Sequence, residues 1–99
     1  MATLYITEYT QAGGPSGLGM LLPNDPPVAE QTVTIGSSST QSAAFNAATT
    51  FIRVHTDAIC SVLIGANPAA AATDARMAAS TTEYRVVKPG HKIAVITNT

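Results

Sequence analysis

Two histidines, His55 and His91, together with Glu83, invite a cupin-like metal reading of this 99-residue chain. A cupin-like site needs a His-x-His pair with a carboxylate close by on one strand, so that the ligands converge on one face. No such pair occurs, and His91 falls in Lys88-Pro89-Gly90-His91, a turn. His55 reads instead as a solvent-facing strand residue paired across its sheet. Cys60 is the only cysteine, so no intrachain disulfide can form. It lies in the apolar run 59–64, where a small buried thiol is expected. The alternative, a reactive thiolate, needs a helix start or a cationic neighbour, and the adjacent charge, Asp57, is acidic.

Gly14, Gly17 and Gly19 resemble a phosphate loop only in their spacing. No Lys-Ser or Lys-Thr follows them, and Leu22 stands where a dinucleotide fingerprint requires glycine. There is no Gly-x-Ser-x-Gly elbow and no Cys-x-x-Cys pair. Asp57 and Asp74 sit at turns, where aspartate hydrogen-bonds the backbone. The chain therefore offers no catalytic residues, no metal site and no cofactor site, and the expectation is a protein that is not an enzyme.

The elements that position these residues read as β throughout. Leu4 and Ile6 alternate with Tyr5 and Thr7 over 2–9, a first strand. A weaker alternation covers 29–35 and ends in the turn cluster Gly36-Ser37-Ser38-Ser39; a short candidate follows at 41–45, with a turn or a single helical turn at 46–48. In 50–56, Ile52 and Val54 share one face while Arg53 and His55 share the other. Asp57-Ala58 then reads as a tight hairpin connection to 59–64, although Asp-Ala suits a type I′ turn less well than Asp-Gly. The alanine-rich 66–73 contains Pro68 and reads as a surface loop. Short strands are expected at 75–77 and 82–87. Pro89 and Gly90 occupy the positions of a type II turn, and 92–97 is the last strand. About eight short strands punctuated by turns predict one all-β domain over 1–99, a small antiparallel sandwich or jelly roll.

Residues 11–27 break this pattern. They hold Gly13, Gly14, Pro15, Gly17, Gly19, Pro23, Pro26 and Pro27, too many breakers for a regular element, and read as a long loop or arm. Leu18, Met20, Leu21 and Leu22 in its middle have apolar surface to bury against their own domain or, the reading favoured here, against a neighbouring subunit. These four are the candidate partner-binding residues.

Composition supports an assembling protein. Charged residues make up 11% of the chain, against roughly 25% in a typical soluble domain. A surface so poor in charge loses little on being desolvated against a partner. The net charge of −1 leaves no basic stripe for nucleic acid. Residues 1–50 carry Glu8, Asp25 and Glu30 without a cation. Residues 51–99 hold five Lys or Arg against three acids, so copies with the halves at different edges could attract head to tail. No segment approaches the ~20 apolar residues of a membrane span, and 1–3 lack a basic leader, so synthesis and retention in the cytoplasm are expected.

From Phe51 onward the chain resembles small structural proteins of tailed bacteriophage and prophage virions. The likeness rests on 51–60 (Phe-Ile-Arg-Val-His-Thr-Asp-Ala-Ile-Cys), on Gly65-Ala66-Asn67-Pro68-Ala69, on Met77 with the Ala-Ala-Ser-Thr-Thr-Glu-Tyr after it, and on Pro89-Gly90-x-Lys92-Ile93-Ala94-Val95-Ile96. It covers the C-terminal half and brings no enzymatic motif. It implies a capsid decoration or cement protein located in the virion, a homo-oligomer with a trimer favoured. The implied partners are the major capsid protein or other virion subunits, with neither nucleic acid nor membrane. The alternative is a tail-associated or carbohydrate-binding module. That reading prefers aromatic platforms, for which the chain has three tyrosines and no tryptophan.

Overall fold

A computed structural model describes residues 2–10, 12–13, 22–23 and 26–98. In chain order the strands are β1 (Thr3–Tyr9), β2 (Ala12–Gly13), β3 (Leu22–Pro23), β4 (Ala29–Thr34), β5 (Thr40–Gln41), β6 (Phe51–Thr56), β7 (Cys60–Gly65), β8 (Ala75–Met77), β9 (Thr82–Val86) and β10 (Lys92–Thr97). Eight of them form two four-stranded antiparallel sheets, ordered β4-β1-β6-β9 and β5-β10-β7-β8. The fold is a small all-β sandwich.

The pairings explain how the chain reaches it. β1 pairs with β4, β5 with β10, β6 with β9 and β7 with β8, each antiparallel. These are the successive rungs of one two-stranded ribbon that folds over itself, as in a jelly roll. At the folds between β5–β10 and β6–β9 and between β6–β9 and β7–β8 both strands of the ribbon change sheet together, whereas between β1–β4 and β5–β10 only residues 35–39 cross. Residues 42–50 and 87–91 turn one corner side by side: Phe45 N–H donates to His91 O (2.8 Å), Gly90 N–H to Phe45 O (3.1 Å) and Val87 N–H to Thr50 O (3.0 Å). Residues 57–59 and 78–81 turn another, where Ser80 N–H donates to Thr56 O (2.9 Å).

This ribbon corrects the hairpin expected at Asp57-Ala58. β6 and β7 lie in different sheets, so the connection carries the chain across the core. Neither Asp57 nor Ala58 takes the positive φ that a two-residue hairpin turn demands. Instead Thr56 Oγ1 donates to Ala58 O (2.6 Å) and accepts from Ala58 N–H (3.2 Å), closing a bend. Packing gives the reason: Ile52 and Val54 on one strand and Cys60 and Val62 on the other are all buried, and they bury one another best from opposite walls. The type II turn forms as expected, with Gly90 at φ 81° and His91 N–H bonded to Lys88 O (3.2 Å), yet it too joins strands of different sheets. The short strand expected at 41–45 shrinks to Thr40–Gln41, because 42–46 forms a corner and drops Phe45 into the core.

The core between the sheets is aliphatic: Leu4, Ile6, Val33, Ile52, Val54, Val62, Met77, Ile93 and Val95, with Phe45 its single buried phenyl ring. One charge enters it. Alternation along β1 turns Glu8 inward after Leu4 and Ile6, and only 2% of its surface is exposed. Its carboxylate accepts from Thr49 Oγ1 (2.7 Å), Asn46 N–H (2.8 Å) and Gln31 Nε2 (3.2 Å), which ties the 42–50 corner to β1 and β4. Among the described residues no buried side-chain polar atom lacks a partner. Replacing Glu8 by Ala strands the Asn46 amide and the Thr49 hydroxyl. It is expected to cost about 3 kcal/mol, seen in a thermal melt as a Tm lower by on the order of 15 °C.

Candidate interaction surface

The outer faces of the two sheets differ. Loop 66–74 lies across the β5-β10-β7-β8 sheet, held by side chains of Ser39, Gln41 and Asn98 and braced within itself at Asp74. Gln41 Nε2 donates to Pro68 O (2.6 Å) and Asn67 Oδ1 (2.9 Å), and Ala70 N–H to Ser39 Oγ (2.8 Å). Asn98 Nδ2 donates to Ala72 O (3.1 Å) and Ser61 Oγ (2.8 Å), and Asp74 Oδ2 accepts from Ala71 N–H (2.8 Å). Beneath it Ser61 and Ala94, both on the face turned away from the core, are fully buried. The loop expected at the surface is there, and it serves as a cover.

No comparable loop among the described residues covers the β4-β1-β6-β9 sheet. Strand register sets its outward side chains in rows: Thr32, Tyr5, His55, Thr82; then Glu30, Thr7, Arg53, Tyr84; then Tyr9, Phe51, Val86. Tyr9 and Phe51 stack at 5.3 Å between centroids, and Tyr5 tilts against His55 at 6.3 Å. His55 Nδ1 shares a hydrogen bond with Thr82 Oγ1 (2.9 Å), the cross-sheet pairing expected for it. Tyr5 is 41% exposed, Tyr84 55% and Val86 89%. One acid, Glu30, and one base, Arg53, are the formal charges of these three rows. Tyr5, Thr7, Glu30 and Thr32 also line a shallow cleft between β1 and β4.

Sequence reading did not find this surface, and β9 shows why. Its alternation, Thr82-Glu83-Tyr84-Arg85-Val86, turns Tyr84 and Val86 inward if apolar residues are assigned to the core. The structure has the reverse. The buried Val87, in phase with Glu83 and Arg85, fixes the inward face. Glu83 and Arg85 then lie half-buried along the rim of the core, ion-paired at 2.6 Å. Their stems cover apolar neighbours while their charges stay at the edge.

Leu18, Met20 and Leu21 lie outside the described residues. Leu22 belongs to β3, whose backbone pairs with β2 through Gly13↔Leu22 and Ala12↔Pro23, so the 11–27 segment closes on itself at its base in a two-residue ladder. Among the described residues no three of His, Cys, Asp and Glu come together to hold a metal. No helix among them is long and apolar enough to cross a membrane. His55 and His91 are not brought together: the first lies on the open face, the second at the turn before β10. No family model, curated protein or solved structure matches the chain.

Cys60 is fully buried, with Sγ 3.5 Å from Thr56 Oγ1. Burial raises its pKa above the ordinary value of 9.0; the Thr56 contact opposes the shift and the Glu83 carboxylate adds to it. The folded chain thus holds this proton to higher pH than the unfolded chain. Its contribution to stability is complete below about pH 9 and is lost as pH rises toward the folded value. Denaturant titrations from pH 8 to 10.5 should show a shallower alkaline decline for Cys60→Ala than for the natural chain. Ellman's reagent should leave the native thiol unmodified over hours.

Proposed function

We propose that the chain is a non-enzymatic virion structural protein, a capsid decoration or cement protein that binds and stabilises a phage head through the open face of its β4-β1-β6-β9 sheet. The observation that carries the reading is the asymmetry of the sandwich: loop 66–74 covers much of one sheet and leaves Leu63 exposed there, while the other presents Tyr5, Tyr84 and Val86 around a face of balanced, sparse charge. Aromatic side chains flanked by a single Arg are typical of protein contact surfaces. The resemblance of 51–96 to phage virion proteins supplies the shell as partner, and the apolar residues at 18–22 supply a second attachment. The protein acts in the virion in many copies, on the major capsid protein or its neighbours.

Co-sedimentation with empty heads of the cognate phage tests it. The natural chain should pellet with the shells in saturable, many-copy stoichiometry, and Tyr5→Asp should weaken binding about tenfold or more while leaving the thermal melt within a few degrees. A natural chain that stays in the supernatant counts against the reading.

One observation favours a second reading, a carbohydrate-binding or tail-associated module: two exposed tyrosines, Tyr5 and Tyr84, fall on one outward sheet face, beside Arg53, His55 and Glu30. Sugar rings stack on such platforms and hydrogen-bond the polar groups between them. A glycan array bound by the natural chain, and not by the double substitution Tyr5→Ala and Tyr84→Ala, would select this reading if shells are not bound.

A further inference from the structure

β9 ends its sheet, and the free edge it presents is complementary to itself. Val87 N–H bonds to Thr50 O and Thr56 N–H to Thr81 O, which sets the phase of the β6–β9 ladder. By the alternation of an antiparallel pair, the amides and carbonyls of Glu83 and Arg85 point to β6, and those of Thr82, Tyr84 and Val86 point away from it. Among the described residues no backbone hydrogen bond reaches that outer edge. Such an edge is a template for another strand.

We infer that the β9 strands of two copies of this chain pair antiparallel about a two-fold axis through Tyr84, joining their open sheets into one eight-stranded sheet. In that register Tyr84 meets Tyr84 of the second copy, and Thr82 meets Val86. All of these are residues whose backbone groups point outward, so the ladder is in phase. Glu83 of each copy then stands opposite Arg85 of the other, in the non-hydrogen-bonded position where side chains approach most closely. The existing Glu83–Arg85 ion pair, whose side chains are 34% and 37% exposed, becomes half of an alternating four-charge ring.

Inward-pointing charge at an edge usually guards against pairing. A lone Lys or Glu at 83 or 85 would do so by meeting no countercharge across the axis. Two opposite charges placed symmetrically about Tyr84 do the reverse. On the outward side, Val86 at 89% exposure gains Thr82 and the flank of Tyr84 from the second copy. An isologous contact of this kind closes on itself. It gives a dimer, in place of the trimer favoured on sequence grounds, and leaves Tyr5 and Arg53 free for another partner.

The inference concerns the chain alone and does not depend on what the open face binds. Sedimentation velocity of the full chain, from micromolar to about 1 mM, should pass from the 10.1 kDa monomer to a species of twice that mass. Val86→Pro removes an outward amide that β6 does not use and a side chain that touches little, so it should leave the melt unchanged and hold the protein monomeric. Glu83→Arg or Arg85→Glu alone should raise the dimer Kd about tenfold or more, from like charges facing across the axis. The double reversal should restore it to within about threefold. A natural chain monomeric throughout, a trimer, open-ended growth by head-to-tail contacts, or a Val86→Pro protein that still dimerises overturns the inference. A monomer that pellets with heads defeats this contact and leaves the decoration reading intact; a dimer that ignores heads does the opposite.

Discussion

A two-stranded ribbon that folds over itself produces two sheets with four faces, and only two of those faces can bury each other. The remaining two must be covered by the chain or left to something else. In this protein the ribbon closes at loop 66–74, the connection between β7 and β8, and that loop is long enough to lie back across its own sheet. It buries Pro68 and Ala70 over Ser61 and Ala94. Among the described residues the opposite sheet has no such cover. Its strands β6 and β9 meet corners too tight to spare residues for a cover, and Tyr5 and Tyr84 stay at the surface while Tyr9 is buried. The difference between a covered and an open sheet follows, among the described residues, from where the ribbon spends its loop residues.

Much of the architecture was legible in the sequence. Each of the longer strands, β1, β4, β6, β7 and β10, begins and ends within a few residues of the expected place, because Leu4 with Ile6 and Ile52 with Val54 mark an inward face by a period that only a strand satisfies. Pro89 and Gly90 fixed their turn by backbone chemistry alone. What local pattern cannot carry is which sheet a strand joins. A tight turn between two apolar strands serves a hairpin and a sheet-crossing bend equally well. The choice at Asp57-Ala58 was made by core residues distant in sequence, Leu4 and Met77 among them.

The interaction surface was less legible for a related reason. Alternation identifies two faces of a strand and assigns the apolar one inward by default. At an edge strand that default fails, because a half-covered position accepts the stems of Glu83 and Arg85 and frees Tyr84 and Val86 to face out. Glu8 is the mirror case: its phase with Leu4 and Ile6 placed it in the core, although its type argues for the surface. Its burial is sustained by three hydrogen bonds from a corner that no local pattern places beside it.

The central claim is that the outer edge of β9 is unpaired in the single chain and pairs with a second copy, as inferred above. Amide hydrogen exchange followed by NMR reads this residue by residue. On dilute protein, the Tyr84 and Val86 amides should exchange at nearly the rate of an unstructured chain, while those of Ile93 and Val95 exchange only through global unfolding. Raising the concentration should slow Tyr84 and Val86 selectively. Slow exchange at Tyr84 in the most dilute sample, or no slowing in the most concentrated, would contradict the account.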